Sequence, residues 1–216
     1  MYIPRYHQQN DQEAIAGLIE EYPLGAWVVA GPNGLIANHV PFYLERSKGE
    51  LGTLIGHVSR ANPVWRELEA GIASVVMFQG PQTYITPNWY PSKAEHGKVV
   101  PTWNYAVTHV HGIARAIEDR EWLLAMLNQL TGASEANQPT PWRVNDAPPE
   151  YIDKLLRAIV GIEIPIDRLE GKLKVSRDEH MQDRLGTVAG LRKVSGDMAG
   201  AMATLVSNAI DEGTKV

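Results

Sequence analysis

The feature that most constrains the fold of this chain is a series of strand-like segments that are joined mostly by short turns. Apolar runs bounded by Gly, Pro and Asn predict strands at 24–30, 35–44, 51–58, 72–78, 82–85, 104–117 and 160–169. Helical periodicity predicts helices at a few places, namely 10–22, 63–69, 119–130, 150–159, the region beyond residue 174, and 197–210. This order favours an antiparallel β-barrel with peripheral helices over a doubly wound sheet.

Composition narrows the chemistry and the setting. The chain contains no cysteine, which excludes disulfides, thiolate catalysis and cysteine-based metal sites. No apolar run approaches the roughly 20 residues that span a bilayer. The N-terminal residues lack the charged-then-apolar order of a secretory signal. We therefore expect a cytoplasmic protein with no membrane partner.

The charge balance bears on nucleic-acid binding. The formal net charge is −5, so the chain repels polyanions at long range. Only segment 172–193 departs from this balance, with the basic residues Lys172, Lys174, Arg177, Arg184, Arg192 and Lys193. Because three acidic residues are mixed in, the segment is typical of a solvated helix face, and contact with DNA is the alternative. Helices joined around Gly186 or Gly196 are the candidates for a helix-turn-helix.

A strand running directly into a helix predicts an anion site. The sequence GHVSRANP at 56–63 places Ser59 and Arg60 at the junction, Asn62 where it can cap the helix, and Pro63 in the first turn. A helix N-terminus with a hydroxyl and a guanidinium beside it suits a phosphate group. The alternative is an ordinary capped helix with a surface arginine.

Three further patterns could contact a ligand or a metal. The sequence ANHVPF at 37–42 has a proline inside a strand, which leaves backbone groups that could meet a flat ring. The alternative is that His39 lies on the solvated face of an edge strand. An aromatic loop at 86–101 could cover a planar ligand, or could form a satellite hydrophobic cluster. The pair His109 and His111 lies on one strand face, where it could bind a metal with His57 or His39, or be incidental.

Taken together, these motifs resemble one family. They are ANHVPF at 37–42, GHVSRANP at 56–63, FQGP at 78–81, YITPNWY at 84–90, VPTWNY at 100–105, PWRV at 141–144, LEGK at 169–172 and AGLR at 189–192. In this order they resemble the PaiB-type FMN-binding negative transcriptional regulators. The resemblance implies a flavin-binding split barrel, related to pyridoxamine-phosphate oxidases, with FMN at the interface of a homodimer. We expect a split-barrel domain at 1–170 and a basic, helical extension packed on it at 171–216.

The resemblance implies a set of FMN-binding residues. In the related oxidases, a Ser-Arg-Lys run at this junction holds the FMN phosphate. Ser59 and Arg60 match its first two positions, whereas Ala61 replaces the lysine and removes a cation. We therefore expect FMN to bind with modest affinity. The set that the resemblance assigns to the flavin is Asn38, His39, Val40, His57, Ser59, Arg60, Asn62, Trp103, Lys172 and Lys174. Within this set, Asn38 to Val40 would edge the isoalloxazine, Trp103 would stack near it, and the two lysines would reach across the dimer.

Three functions are compatible with these patterns. The first is a homodimeric repressor whose flavin or ligand state alters binding to target genes. The second is a flavin-dependent oxidoreductase that acts on a small molecule, in which the cofactor would carry the chemistry. The third is a barrel that dimerises without a cofactor. The residues single out no catalytic acid or base and no metal site.

Overall fold

The computed structural model describes residues 1–31, 34–68 and 71–213. Within these residues, the strands are β1 (Gln8–Gln9), β2 (Leu24–Gly31), β3 (Gly34–Pro41), β4 (Tyr43–Glu45), β5 (Thr53–Ser59), β6 (Ala73–Ile85), β7 (Thr102–Ile113), β8 (Arg115–Ile117), β9 (Ile159–Pro165) and β10 (Arg168–Lys174). The α-helices are α1 (Gln12–Glu21), α2 (Val64–Glu67), α3 (Ser92–His96), α4 (Arg120–Glu135), α5 (Pro149–Leu156), α6 (Met181–Leu191) and α7 (Asp197–Gly213). Single 3₁₀ turns lie at Arg5–His7, Pro87–Trp89 and Val144–Asp146.

The strands form two sheets, and the pairings that the structure defines are antiparallel. One sheet has the strand order β1-β10-β7-β6-β2-β3, and the other has the order β4-β5-β9-β8. The hairpin of β2 and β3 pairs Leu24 with Pro41 and Gly31 with Gly34. In the second sheet, β5 pairs with β9 from Thr53 opposite Pro165 to Ser59 opposite Ile159. The predicted antiparallel, split-barrel fold with peripheral helices is confirmed.

Several predicted boundaries are wrong for reasons of tertiary packing. The break predicted at 79–81 is absent, because β6 runs through Gly80 and Pro81, which are both buried. A Cβ atom on Gly80 would lie 3.2 Å from the Leu18 side chain and 3.5 Å from the Ala106 carbonyl oxygen, so a glycine permits this close approach. The strand predicted at 160–169 is divided instead between β9 and β10, which lie in different sheets. Residues 175–180 are not helical, since α6 begins at Met181.

The chain divides into two compact units. The first unit comprises Met1–Leu18, Gln79–Thr108 and Glu170–Val216, and the second comprises Ile19–Phe78 and His109–Leu169. The predicted extension from 171 onwards therefore belongs to the first unit together with two earlier segments. The division into domains at residue 170 stays a prediction. None of the described helices combines the length and apolarity needed to cross a membrane.

In the core of the first unit, the aromatic segment at 86–101 packs against the C-terminal helices α6 and α7. Ile85 and Tyr90 are buried with residues of α6 and α7, the largest of which are Leu191 and Met202. The loop predicted at 86–101 is therefore tied down by a hydrophobic cluster and contains α3. Ser176, between β10 and α6, has a left-handed backbone with φ of +57°. The buried Asn104 donates from Nδ2 to the Ser176 Oγ at 2.9 Å and supports this conformation.

The core of the second unit has two parts. Three buried aromatic rings pack edge to face, with centroids 6.4 Å apart for Trp27 and Phe42 and 6.3 Å apart for Phe42 and Phe78. On another face, Ile55 of β5 packs with Leu123 and Met126 of α4. The strand β5 thus lies between two apolar layers, which fixes the position of the residues that follow it.

Candidate functional site

The junction after β5 is a tight turn, as predicted. The Asn62 N–H donates to the Ser59 carbonyl oxygen at 2.9 Å, and Asn62 Oδ1 accepts the N–H of Val64 at 3.0 Å. Asn62 thus forms a local turn with Val64, but the N-cap of α2 is Pro63, one residue later than predicted. However, α2 is a single turn, Val64–Glu67, and is shorter than the predicted helix at 63–69, of which residue 69 lies outside the described residues. So short a helix aligns few peptide dipoles, and an anion here would depend on side chains.

The Arg60 side chain is held by acceptors of its own unit. Its Nε donates to the Arg157 carbonyl oxygen at 2.8 Å, Nη2 donates to the Ile159 carbonyl oxygen at 3.2 Å, and Nη1 forms an ion pair with Glu118. Among the described residues these bonds use three of its five N–H groups. The side chain remains 35% exposed, so part of it is accessible to solvent. An incoming phosphate would meet the negative charge of Glu118 at the same place.

In the structure, the side chain of Asn38 in β3 contacts that of Asn62. Asn62 Nδ2 donates to Asn38 Oδ1 at 2.7 Å, while the buried Nδ2 of Asn38 has no partner among the described residues. Nearby, a Cβ atom on Gly56 would lie 3.2 Å from the Val40 side chain, so β3 rests closely on β5. Val40 is buried, and His39 points the opposite way and is exposed. An unpaired amide donor beside a close-packed strand suits a flat ring with carbonyl groups, and flavin is such a ring.

His57 lies on the other face of β5 from Gly56. Strand alternation places it with Ile55, which faces α4, and with Ser59. Burial lowers the pKa of His57 below its ordinary value, and its Nδ1 is buried with no partner among the described residues. The imidazole is therefore neutral near pH 7. Strand alternation is the only evidence that His57 and Asn38 face different ways. The role of His57 in flavin binding stays a prediction.

The remaining predicted site residues lie in the first unit. Lys174 Nζ donates to Thr102 Oγ1 at 2.6 Å and to the Trp103 carbonyl oxygen at 2.8 Å. Lys172 Nζ donates to the Tyr2 carbonyl oxygen at 3.2 Å and lies 5.2 Å from the centre of the Tyr105 ring. The Trp103 ring is half-exposed and packs edge to face on a neighbouring tyrosine. The predicted site residues thus form two groups, one within each unit.

Sequence reasoning missed a buried polar cluster in the first unit. Asp183 and Arg184 were expected on a solvated helix face, but both are buried. Asp183 accepts the Ser92 N–H at Oδ1 (3.1 Å) and the Ser92 hydroxyl at Oδ2 (2.7 Å). Gly186 lies inside α6 and does not join two helices, which corrects one of the two predicted junctions. The spacing of Gly186 and Gly190, one turn apart, is the sequence signal that could have indicated a closely packed helix face.

Comparison with known proteins decides the family. The family model described as "Putative FMN-binding domain" matches residues 1–168, most of the chain. The chain belongs to this FMN-binding family. The PaiB-type relationship is supported by the protease synthase and sporulation protein PAI 2 of Bacillus subtilis, which is 30% identical over 96% of this chain and 97% of its own length. An uncharacterised protein of Emericella nidulans is 34% identical over 95% of this chain and 96% of its own length.

Solved structures support the fold of this PaiB-type chain. The FAD and heme binding protein of Mycobacterium smegmatis is 19% identical with a TM-score of 0.58, covering 78% of this chain and 73% of that one. The conserved hypothetical protein Rv2991 of Mycobacterium tuberculosis is 12% identical with a TM-score of 0.59, covering 91% of this chain and 99% of that one. At these identities the likeness concerns the fold alone. FMN is the cofactor that the family implies, and the unpaired Asn38 amide fits such a ring.

Proposed function

We propose that this PaiB-type chain binds FMN in its second unit and acts as a homodimeric negative transcriptional regulator. The observation that carries the FMN part is the Asn38 amide, which is buried against Asn62 with its Nδ2 unpartnered among the described residues. The regulatory part is supported by relatedness over nearly the whole chain to PAI 2 of Bacillus subtilis, whose name refers to protease synthesis and sporulation. That relatedness favours a regulator over the flavin-dependent oxidoreductase.

The proposed roles follow from the chemistry of each side chain. Asn38 Nδ2 would donate to a carbonyl of the isoalloxazine, and the backbone from Asn38 to Val40 would border its edge. Ser59 and the uncommitted N–H groups of Arg60 would bind the phosphate. Bound flavin supplies a redox-active ring that absorbs visible light. The other members of the predicted set, His39, His57, Trp103, Lys172 and Lys174, stay proposed contacts, with both lysines reaching the flavin of the partner subunit.

The proposed contact of Arg60 with the FMN phosphate can be tested by changing Arg60 or its ion-pair partner Glu118. Replacing Arg60 by alanine is expected to weaken FMN binding at least tenfold, or about 1.4 kcal/mol, because a charge-assisted contact is lost. Glu118→Gln is expected to strengthen binding about two- to fivefold, because it removes a repulsive charge at an exposed pair. Titration of flavin fluorescence measures both changes.

Two controls make this experiment specific. Riboflavin lacks the phosphate, so its affinity should be the same in wild type, Arg60→Ala and Glu118→Gln. Arg120→Ala removes a comparable arginine that pairs with Asp153 in the same unit, and it should leave FMN binding unchanged. Equal FMN affinity of the wild type and Arg60→Ala would show that the phosphate does not bind at Arg60.

The regulatory proposal predicts direct DNA binding. Arg192 and Lys193 are exposed at the end of α6, whereas Lys172, Lys174 and Arg177 are half-buried and Arg184 is buried. They are therefore the most accessible members of the predicted basic segment. Promoter DNA should be retarded in gels at low salt, and affinity should fall steeply as salt rises. The double variant Arg192→Gln, Lys193→Gln should reduce the logarithmic salt slope by about 2. No retardation at low salt contradicts a DNA-binding regulator, and sedimentation of the same sample tests the homodimer.

A further inference from the structure

Arg184 is a buried cation with unused donors. It lies in the first turn of α6, and the residue is only 9% exposed. Its Nε and Nη2 atoms are buried, and neither has a hydrogen-bond partner among the described residues. Burying these two nitrogens without an acceptor is costly, because their N–H groups have lost water and gained no partner in return. The fold therefore provides a donor pair that needs an acceptor.

The two unpartnered atoms have a specific geometry. Nε–H and one N–H of Nη2 point in parallel along the same edge of the planar guanidinium. This edge matches the two oxygens of a carboxylate or a phosphate, which accept both bonds at once. The unpartnered pair therefore favours an oxyanion as the occupant.

Among the described residues, no carboxylate forms a hydrogen bond or ion pair with these two atoms. The adjacent carboxylate, Asp183, accepts both hydrogen bonds of Ser92. Asp178 lies 3.9 Å from His7 Nε2. The charge that acts most on Arg184 is the like charge of Arg177, and burial together with Arg177 lowers the pKa of the Arg184 guanidinium. Arg60 of the second unit differs, because Glu118 and two carbonyl oxygens already accept its bonds.

We propose that Arg184 is an anion-binding residue that takes the phosphate or carboxylate group of a small molecule, side-on through Nε and Nη2. Two sources share this chemistry, a free small anion and the phosphate of FMN. The site is separate in sequence from Ser59 and Arg60, and it does not rest on the function proposed above. It also assigns a role to a residue that the sequence pattern placed on a solvated face.

The test is the thermal stability of the full chain in inorganic phosphate. At constant ionic strength, phosphate at about five times its Kd should raise the Tm of the wild type by about 2–4 °C relative to chloride. Arg184→Met keeps much of the apolar side chain and removes the donors, so its Tm should not respond to phosphate. Arg184→Lys keeps the charge without the parallel donor edge and should respond much less than the wild type. Arg5→Gln, at an exposed arginine of the same unit, is the matched control and should respond like the wild type.

Measuring FMN affinity distinguishes the two possible sources of the anion. If Arg184→Met weakens FMN binding at least tenfold and leaves riboflavin unchanged, the anion is the FMN phosphate. If phosphate stabilises the wild type while FMN affinity is equal in both proteins, the anion is a free small molecule. If Arg184→Met does not fold by circular dichroism, Arg184→Lys carries both measurements. Equal responses to phosphate and equal FMN affinities in the wild type and the variants overturn the proposal.

Discussion

Replacing Gly186 by alanine is expected to lower the free energy of unfolding by about 3 kcal/mol. A Cβ atom at this position would lie 2.0 Å from the Trp89 carbonyl oxygen and 3.0 Å from Pro91 Cδ. Because the nearest atom belongs to the backbone, α6 would have to move away from the aromatic segment. In a chain of this size the Tm should fall by about 6–12 °C, and denaturant unfolding measures the free energy directly.

The same substitution elsewhere in the first unit provides the control. Gly200 lies in α7, and a Cβ atom there would have no atom within 4 Å. Gly200→Ala should therefore stabilise the chain by up to about 1 kcal/mol, which is the ordinary helix preference for alanine. If Gly186→Ala also stabilised the chain, the close contact of α6 with Trp89 would be wrong. The difference between the two variants isolates packing from helix propensity.

The second large effect is expected at Asp183. Alanine at this position should destabilise the chain by about 3 kcal/mol, because the Ser92 amide and hydroxyl would both lose a charged acceptor in a buried place. Ser92 begins α3, so the loss should also loosen this short helix. Ser92→Ala removes only the hydroxyl bond and should cost less, about 1–2 kcal/mol.

Asp197→Ala is the control for Asp183. It removes an exposed carboxylate from the first turn of α7, where the expected loss is below about 1 kcal/mol. Hydrogen exchange of the α3 amides identifies the place of the effect. Unchanged protection of α3 in Asp183→Ala would contradict the role of Asp183 as the acceptor that holds Ser92 in place.

The local parts of the candidate site could be predicted from the sequence. The turn from Ser59 to Asn62 uses atoms within a few residues of each other, so residue types at fixed spacing determine it. The close meeting of Asn38 with Asn62 joins residues 24 positions apart, yet the family motifs contain both. The length of α2 was overestimated, because apolar spacing does not show where a helix stops.

The features that could not be predicted depend on residues that are distant in the sequence. The acceptors that hold Arg60 come from residues 118, 157 and 159, which no local pattern connects to a strand end near residue 60. Asp183 is buried because Ser92, 91 positions earlier, gives it two bonds. Pro81 lies beyond Ser74–Met77, the stretch of β6 that pairs with β2, so it removes no donor from that pairing. In each case long-range contacts overrode a sound local preference.

The discontinuous first unit has a consequence for how the chain is made. Ile85 and Tyr90 find their apolar partners in Val175, Leu191 and Met202. While a ribosome is still translating α6 and α7, the emerging middle segment has nothing to cover it. Such a nascent stretch is open to chaperones and proteases, and late, long-range closure is slow. We therefore expect this half of the molecule to mature only after α7 has left the exit tunnel.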